Sequence, residues 1–169
     1  GTITSTITIA VDDANSDDDF DTVADQTVSV DTLDDDVAGF TVEETDGSTE
    51  VDESGSTDIF TVVLDAQPTL DVVLTITSES TTEASVNPSS ITFTSENWDT
   101  PQTVTVTGVD ENVVDGDQTT NITIAILDTA SDDNFDALAD QTVSVDTLDD
   151  DVAGFTIEET DGSTEVDES

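Results

Sequence analysis

The chain has 169 residues, of which 43 are Asp or Glu and none is Lys, Arg or His, for a formal charge of −43. Phosphate backbones and anionic headgroups are gripped by Lys and Arg, so no nucleic acid and no membrane surface is expected as a partner, which leaves metal cations and cationic proteins. With Cys and Tyr also missing, most nucleophile–base pairs and oxyanion clamps cannot be built, and no enzyme is expected. No apolar run approaches the roughly 18–20 residues of a membrane span, so no membrane insertion is expected either. High charge with few aromatics is also a mark of disorder, but here the acids are interrupted by regular β-branched runs and 33% of residues are hydrophobic.

The chain opens on a segment that occurs twice. Residues 1–54 align without a gap with 116–169, Gly1 falling on Gly116, Asp34 on Asp149 and Ser54 on Ser169. Self-similarity of this kind marks a repeat architecture. Residues 1–36 then read as the C-terminal part of a preceding repeat, 37–151 as one complete repeat and 152–169 as the N-terminal part of the following one. The neighbours expected for such a segment are copies of the same repeat, in a covalent array or in a head-to-tail filament of complementing halves.

Within the complete repeat, apolar residues alternate with Thr and other polar residues at period two, and no helical stripe is found. Strands are predicted at about 38–45, 57–65, 70–78, 90–94, 102–108, 119–127 and 140–146, with Gly, Pro, Asn and Asp in the gaps. In 102–108, Val104 and Val106 face one way and Thr103, Thr105 and Thr107 the other. The fold class is therefore all-β, about seven antiparallel strands per unit in a two-sheet sandwich, with a small barrel as the alternative.

Three stretches carry a family resemblance: DDDVAGFTVEE (34–44), SSITFTSENWDTPQTVTVTGVDENVVDGDQ (89–118) and SDDNFDALADQTVSVDTLDDD (131–151). The unit resembles Calx-beta domains, above all the tandem Calx-beta-like repeats of giant bacterial surface proteins. The resemblance implies an immunoglobulin-like sandwich with several calcium ions at one pole. It transfers ligand roles to Glu53 in the first connection, to Asp110, Glu111 and Asp115 after the TVTVTGV strand, and to Asp149, Asp150 and Asp151 at the domain end. The repeat adds their counterparts Asp34, Asp35, Asp36 and Glu168. Two departures are the 79–89 connection, which offers only Glu79 and Glu83, and Gln118, where the family often has an acid.

Topology leads to the same pole. In a seven-stranded antiparallel sandwich, connections 46–56, 79–89 and 109–118 emerge at the end where the last strand exits into Thr147–Asp151. Calcium takes six to eight oxygens, carboxylates included, and two ions can share bridging carboxylates. Magnesium's small octahedral shell fits less well, and zinc lacks its Cys and His ligands. The acids at 131–136 (SDDNFD) fall at the opposite pole and read as a solvated loop. Trp98 reads as packing over a sandwich edge, with sugar stacking as the alternative.

The expected function is a structural stalk repeat of a secreted or cell-surface adhesin or extracellular filament, rigidified by calcium at acidic inter-domain junctions. The alternatives are a glycan- or partner-binding adhesion module and a calcium-sensing regulatory domain.

Overall fold

The computed structural model describes residues 1–159, 162, 166 and 167. By its internal contacts the chain divides into two compact units, Gly1–Val37 and Ala38–Ser169. The first unit is a hairpin. Its strands β1 (Ile3–Ile9) and β2 (Gln26–Thr32) pair antiparallel with Ile7 opposite Val28. The Thr4 hydroxyl donates to Asp31 across the ladder at 2.7 Å. In the connection a 3-10 turn spans Asp18–Phe20, opened by Asp17, whose carboxylate accepts from the Asp19 amide at 3.0 Å.

Among its described residues the second unit carries nine strands. They are β3 (Phe40–Glu44), β4 (Thr49–Asp52), β5 (Thr57–Leu64), β6 (Val72–Ser78), β7 (Ala84–Asn87), β8 (Ser90–Phe93), β9 (Gln102–Gly108), β10 (Gln118–Ile126) and β11 (Gln141–Leu148). One sheet runs β4–β11–β10–β6–β8 and the other β3–β5–β9–β7. Every neighbouring pair is antiparallel except β4 and β11, which run parallel from Thr49 opposite Val145 to Asp52 opposite Leu148. The alternation explains the layers: in β9, Val104 and Val106 are buried and Thr103 is exposed, and in β10, Ile122 and Ile124 alternate with Thr123 in the same sense. Phe60, Leu74, Phe93, Ile122 and Ile124 belong to one buried cluster fed by both sheets.

This is the all-β antiparallel sandwich that the alternation indicates, of the immunoglobulin-like kind that the resemblance implies. Its two sheets keep separate edges at β3, β4, β7 and β8, which rules out the barrel. Two strands were not expected. TEVD (β4) and ASVN (β7) have four residues each, too short for a period-two signal; each exists because a longer strand, β11 or β9, offers it an edge. The converse holds for Phe155–Glu159. It copies Phe40–Glu44 except for Ile157 in place of Val42, yet forms no strand. Phe155 is 88% exposed against 5% for Phe40. Tertiary partners, not intrinsic propensity, decide between these outcomes.

The SDDNFD loop also departs from expectation. Asp132 is buried, not solvated: one carboxylate oxygen accepts from the Thr69 amide (2.8 Å), the Thr69 hydroxyl (2.6 Å) and the Leu70 amide (3.0 Å). The other accepts from the amide and side chain of Asn134. These bonds, the Thr69 hydroxyl foremost, hold its carboxyl far below the usual range. Asp132 thus buckles the β10–β11 connection onto the β5–β6 connection. Trp98 packs, partly buried, against the core.

Candidate metal centre

Glu53 follows β4 directly, and its position is set by the parallel pairing of β4 with β11. The Glu53 amide donates to the Leu148 carbonyl at 3.1 Å, extending the ladder one step. The chain then turns at Gly55, whose φ of +91° suits glycine and whose amide donates to the Asp52 carbonyl at 3.2 Å. The hydroxyls of Ser54 and Ser56 hydrogen-bond Asp52 and hold its carboxyl low. This tight turn leaves the Glu53 side chain pointing inward, with none of its surface exposed.

Two further devices bring the 109–117 loop alongside. A Cβ at Gly108 would lie 2.0 Å from the Asp52 carbonyl oxygen, so the bare α-carbon is what lets the end of β9 close on the end of β4. At the far side of the loop, the Gly116 amide (φ +77°) donates to Asp149 at 2.7 Å. The Asp149 amide donates to Asp117 at 3.2 Å, and the Asp151 amide to Asp149 at 2.8 Å. The loop and the exit of β11 are thereby laced together around Glu53.

Two carboxylate triads result. Glu53, Glu111 and Asp115 each place one oxygen within 4.8 Å of the others, and so do Glu53, Asp149 and Asp151. Oxygens sharing one calcium sit about 2.3–2.6 Å from it, hence up to about 5 Å apart, and both triads meet that span. Among the described residues, the buried side-chain oxygens without a hydrogen-bond partner are both of Glu53, one each of Asp151 and Glu83, the Thr147 hydroxyl and, away from this site, one of Asp136. Buried polar groups in native proteins are nearly always satisfied, so the carboxylate orphans at this site call for a ligand that accepts electron pairs. Burial first, then the charges of Asp149, Glu111, Asp115 and Asp151, push the Glu53 carboxyl upward. Burial and Asp115 do the same to Glu111, and burial and Asp149 to Asp151. An all-oxygen, all-anionic donor set fits a hard cation such as calcium.

The structure thus brings together Glu53, Glu111, Asp115, Asp149 and Asp151. Asp110 and Asp150 contribute charge that raises Asp151 but join neither triad. Asp34, Asp35 and Asp36 lie in the first unit, where Asp34 pairs with the Gly1 amino group and accepts from the Asp36 amide. Glu168 lies outside the described residues. Glu83, which the sequence offered in the 79–89 connection without a ligand role, joins neither triad but lies near them. Its charge raises Glu111, and its carbonyl accepts from the Val109 amide at 2.9 Å.

No family model matches the chain, and no curated protein does. Solved structures similar in shape include the E. coli chaperone DraB (10% identity, TM-score 0.48, 70% of this chain and 59% of that one). They also include domains 1–6 of the surface layer protein SbsC (24%, 0.48, 76% and 15%) and the apo form of the Calx CBD1 domain (16%, 0.42, 66% and 98%). The chain thus spans under two thirds of DraB and a small part of SbsC. These likenesses are distant, and the sandwich is read from its own strand pairing.

Proposed function

We propose that this chain is a non-enzymatic structural repeat of an extracellular or cell-surface protein, a stalk or filament module of the Calx-beta-like kind, braced by calcium at its acidic pole. The observation that carries this reading is Glu53, a fully buried carboxylate with both oxygens unpartnered and four other carboxylates around it. Because Glu53 belongs to both triads, it bridges two ion positions, one against Glu111 and Asp115 and one against Asp149 and Asp151. A cation there ties three segments that are far apart in sequence: the exit of β4, the 109–117 loop and the exit of β11. Asp149–Asp151 lead directly out of the sandwich, so ion binding stiffens the segment that continues the chain. Without an ion, consecutive acids repel and extend such a linker. Extracellular calcium modules bind at about 10⁻⁴–10⁻³ M, a range filled outside cells and empty inside them.

Calorimetric melting of the chain in chelator and in rising calcium tests this. A hundredfold excess over Kd stabilises by about 2.7 kcal/mol, which for a chain of this size raises Tm by roughly 5–10 °C. Magnesium at the same concentration should give a smaller shift. A melting curve indifferent to calcium removes the proposal.

A further inference from the structure

The Gly1–Val37 hairpin is the β10–β11 hairpin over again, in structure as in sequence. Ile7 faces Val28 as Ile122 faces Val143, and Thr4 donates to Asp31 as Thr119 donates to Asp146, both at 2.7 Å. What differs is cover. Ile122, Ile124 and Phe135 are 0–2% exposed, whereas their counterparts Ile7, Ile9 and Phe20 are 54–60% exposed. The outer edges of β1 and β2 are likewise unpaired within their two-stranded sheet, while β10 pairs with β6 and β11 with β4. A lone two-stranded hairpin is marginal in water at best.

Where the two hairpins differ in sequence, the apolar buried face is spared, and Ser5 for Thr120 is the one change at a buried position. Ile122, Ile124, Asp132, Phe135, Val143 and Val145 recur as Ile7, Ile9, Asp17, Phe20, Val28 and Val30. Changes such as Asn15 for Ala130 or Thr22 for Ala137 fall on positions that are exposed in the complete sandwich. The hairpin therefore retains the side chains of a face it does not use within its own unit.

We propose that this face is the closing half of a sandwich whose other half is a further copy of the Ala38–Val109 layer, joined ahead of Gly1 as that layer is joined ahead of β10. The chain itself displays the interface: the occupant must set an antiparallel strand beside β1, a parallel strand beside β2 and an apolar layer beneath, which is what β6, β4 and the β5–β9 pair provide to β10–β11. A separate chain is the weaker occupant, because its own β10–β11 already fills that layer. Exchanging one hairpin for its double buries no additional surface and costs the entropy of association. The inference rests on strand pairing and burial and stands apart from the calcium reading.

The test is amide hydrogen exchange on the full chain and on the same chain extended by a second copy of residues 37–115 ahead of Gly1. Ile122, Ile124, Val143 and Val145 serve as the internal reference. In the unextended chain, Ile7, Ile9, Val28 and Val30 should exchange far faster than that reference. In the extended chain they should slow by about a hundredfold or more, since protection follows the stability of the unit that contains them. Val30→Asp in the extended chain should abolish the gain and leave the reference untouched. Fast exchange at Ile7 and Val28 beside a protected reference in the extended chain overturns the proposal. So does protection in the unextended chain that grows with protein concentration, which would assign the face to a second, separate chain.

Discussion

Glu53 and Asp132 are both buried acids, and their surroundings give them opposite roles. Asp132 has a hydrogen-bond donor for each need, so its charge is part of the fold. Asp132→Ala removes the charged acceptor of the Thr69 amide and hydroxyl and of the Leu70 amide and should cost about 1.5–3 kcal/mol in urea unfolding. Its carboxyl is held low, so its contribution is fully present above the ordinary carboxylate range and is lost as the pH falls below it. Glu53 has no donor and its carboxyl is raised. In the ion-free chain that charge is a liability that grows as the pH rises through the raised value. Ion-free stability should therefore increase as the pH falls towards about 4, the unfolded carboxylate range. Glu53→Gln should flatten that pH dependence, raise the ion-free Tm and weaken calcium binding by at least tenfold in isothermal titration. A variant that binds calcium as tightly as the parent would remove Glu53 from the site.

The parallel four-residue pairing of β4 with β11 is the element on which the site depends. Gly108 permits it, because any side chain there meets the Asp52 carbonyl. Gly108→Ala should destabilise the chain by about 1–3 kcal/mol, as overpacking does, and should lower calcium affinity by prising the 109–117 loop from Glu53. Loss of stability with unchanged affinity would separate the loop from the site. The long strands were legible because Val104 and Val106, or Ile122 and Ile124, repeat at period two over enough residues to exclude a helix. TEVD and ASVN were not legible: four residues carry little periodicity, and both strands are edge additions dictated by distant partners. Glu53, Glu83, Glu111, Asp115 and the β11 exit could all be drawn to one end from strand order, because that argument needs only the order of the long strands. The buried state of Asp132 was not legible because three of its five donor bonds come from Thr69 and Leu70, in a different connection.

For the molecule as a whole, a charge of −43 without one basic side chain means that no internal ion pair involves a Lys, Arg or His side chain. Cohesion comes from the apolar layer between the sheets and from the backbone ladders, and, the hydrogen-bonded Asp132 apart, net charge opposes it. Salt should therefore stabilise the ion-free chain by screening, and calcium should do so at far lower concentration. A denaturation midpoint that responds equally to calcium and to sodium at matched ionic strength would indicate screening without a site.

The direction of β4 relative to β11 also governs how the sandwich bears tension. Gln141, at the start of β11, donates to the Phe40 carbonyl at 2.6 Å, so the chain enters the sandwich near one end of β11 and leaves at the other. Traction on entry and exit therefore slides β4 along β11 and loads their hydrogen bonds together, instead of peeling them one at a time. Rupture must break the whole set at once, as in a lap joint. In single-molecule extension the complete unit should yield at a higher force in calcium than in chelator, because ions bound to Glu53 and Asp149 clamp that joint at its open end.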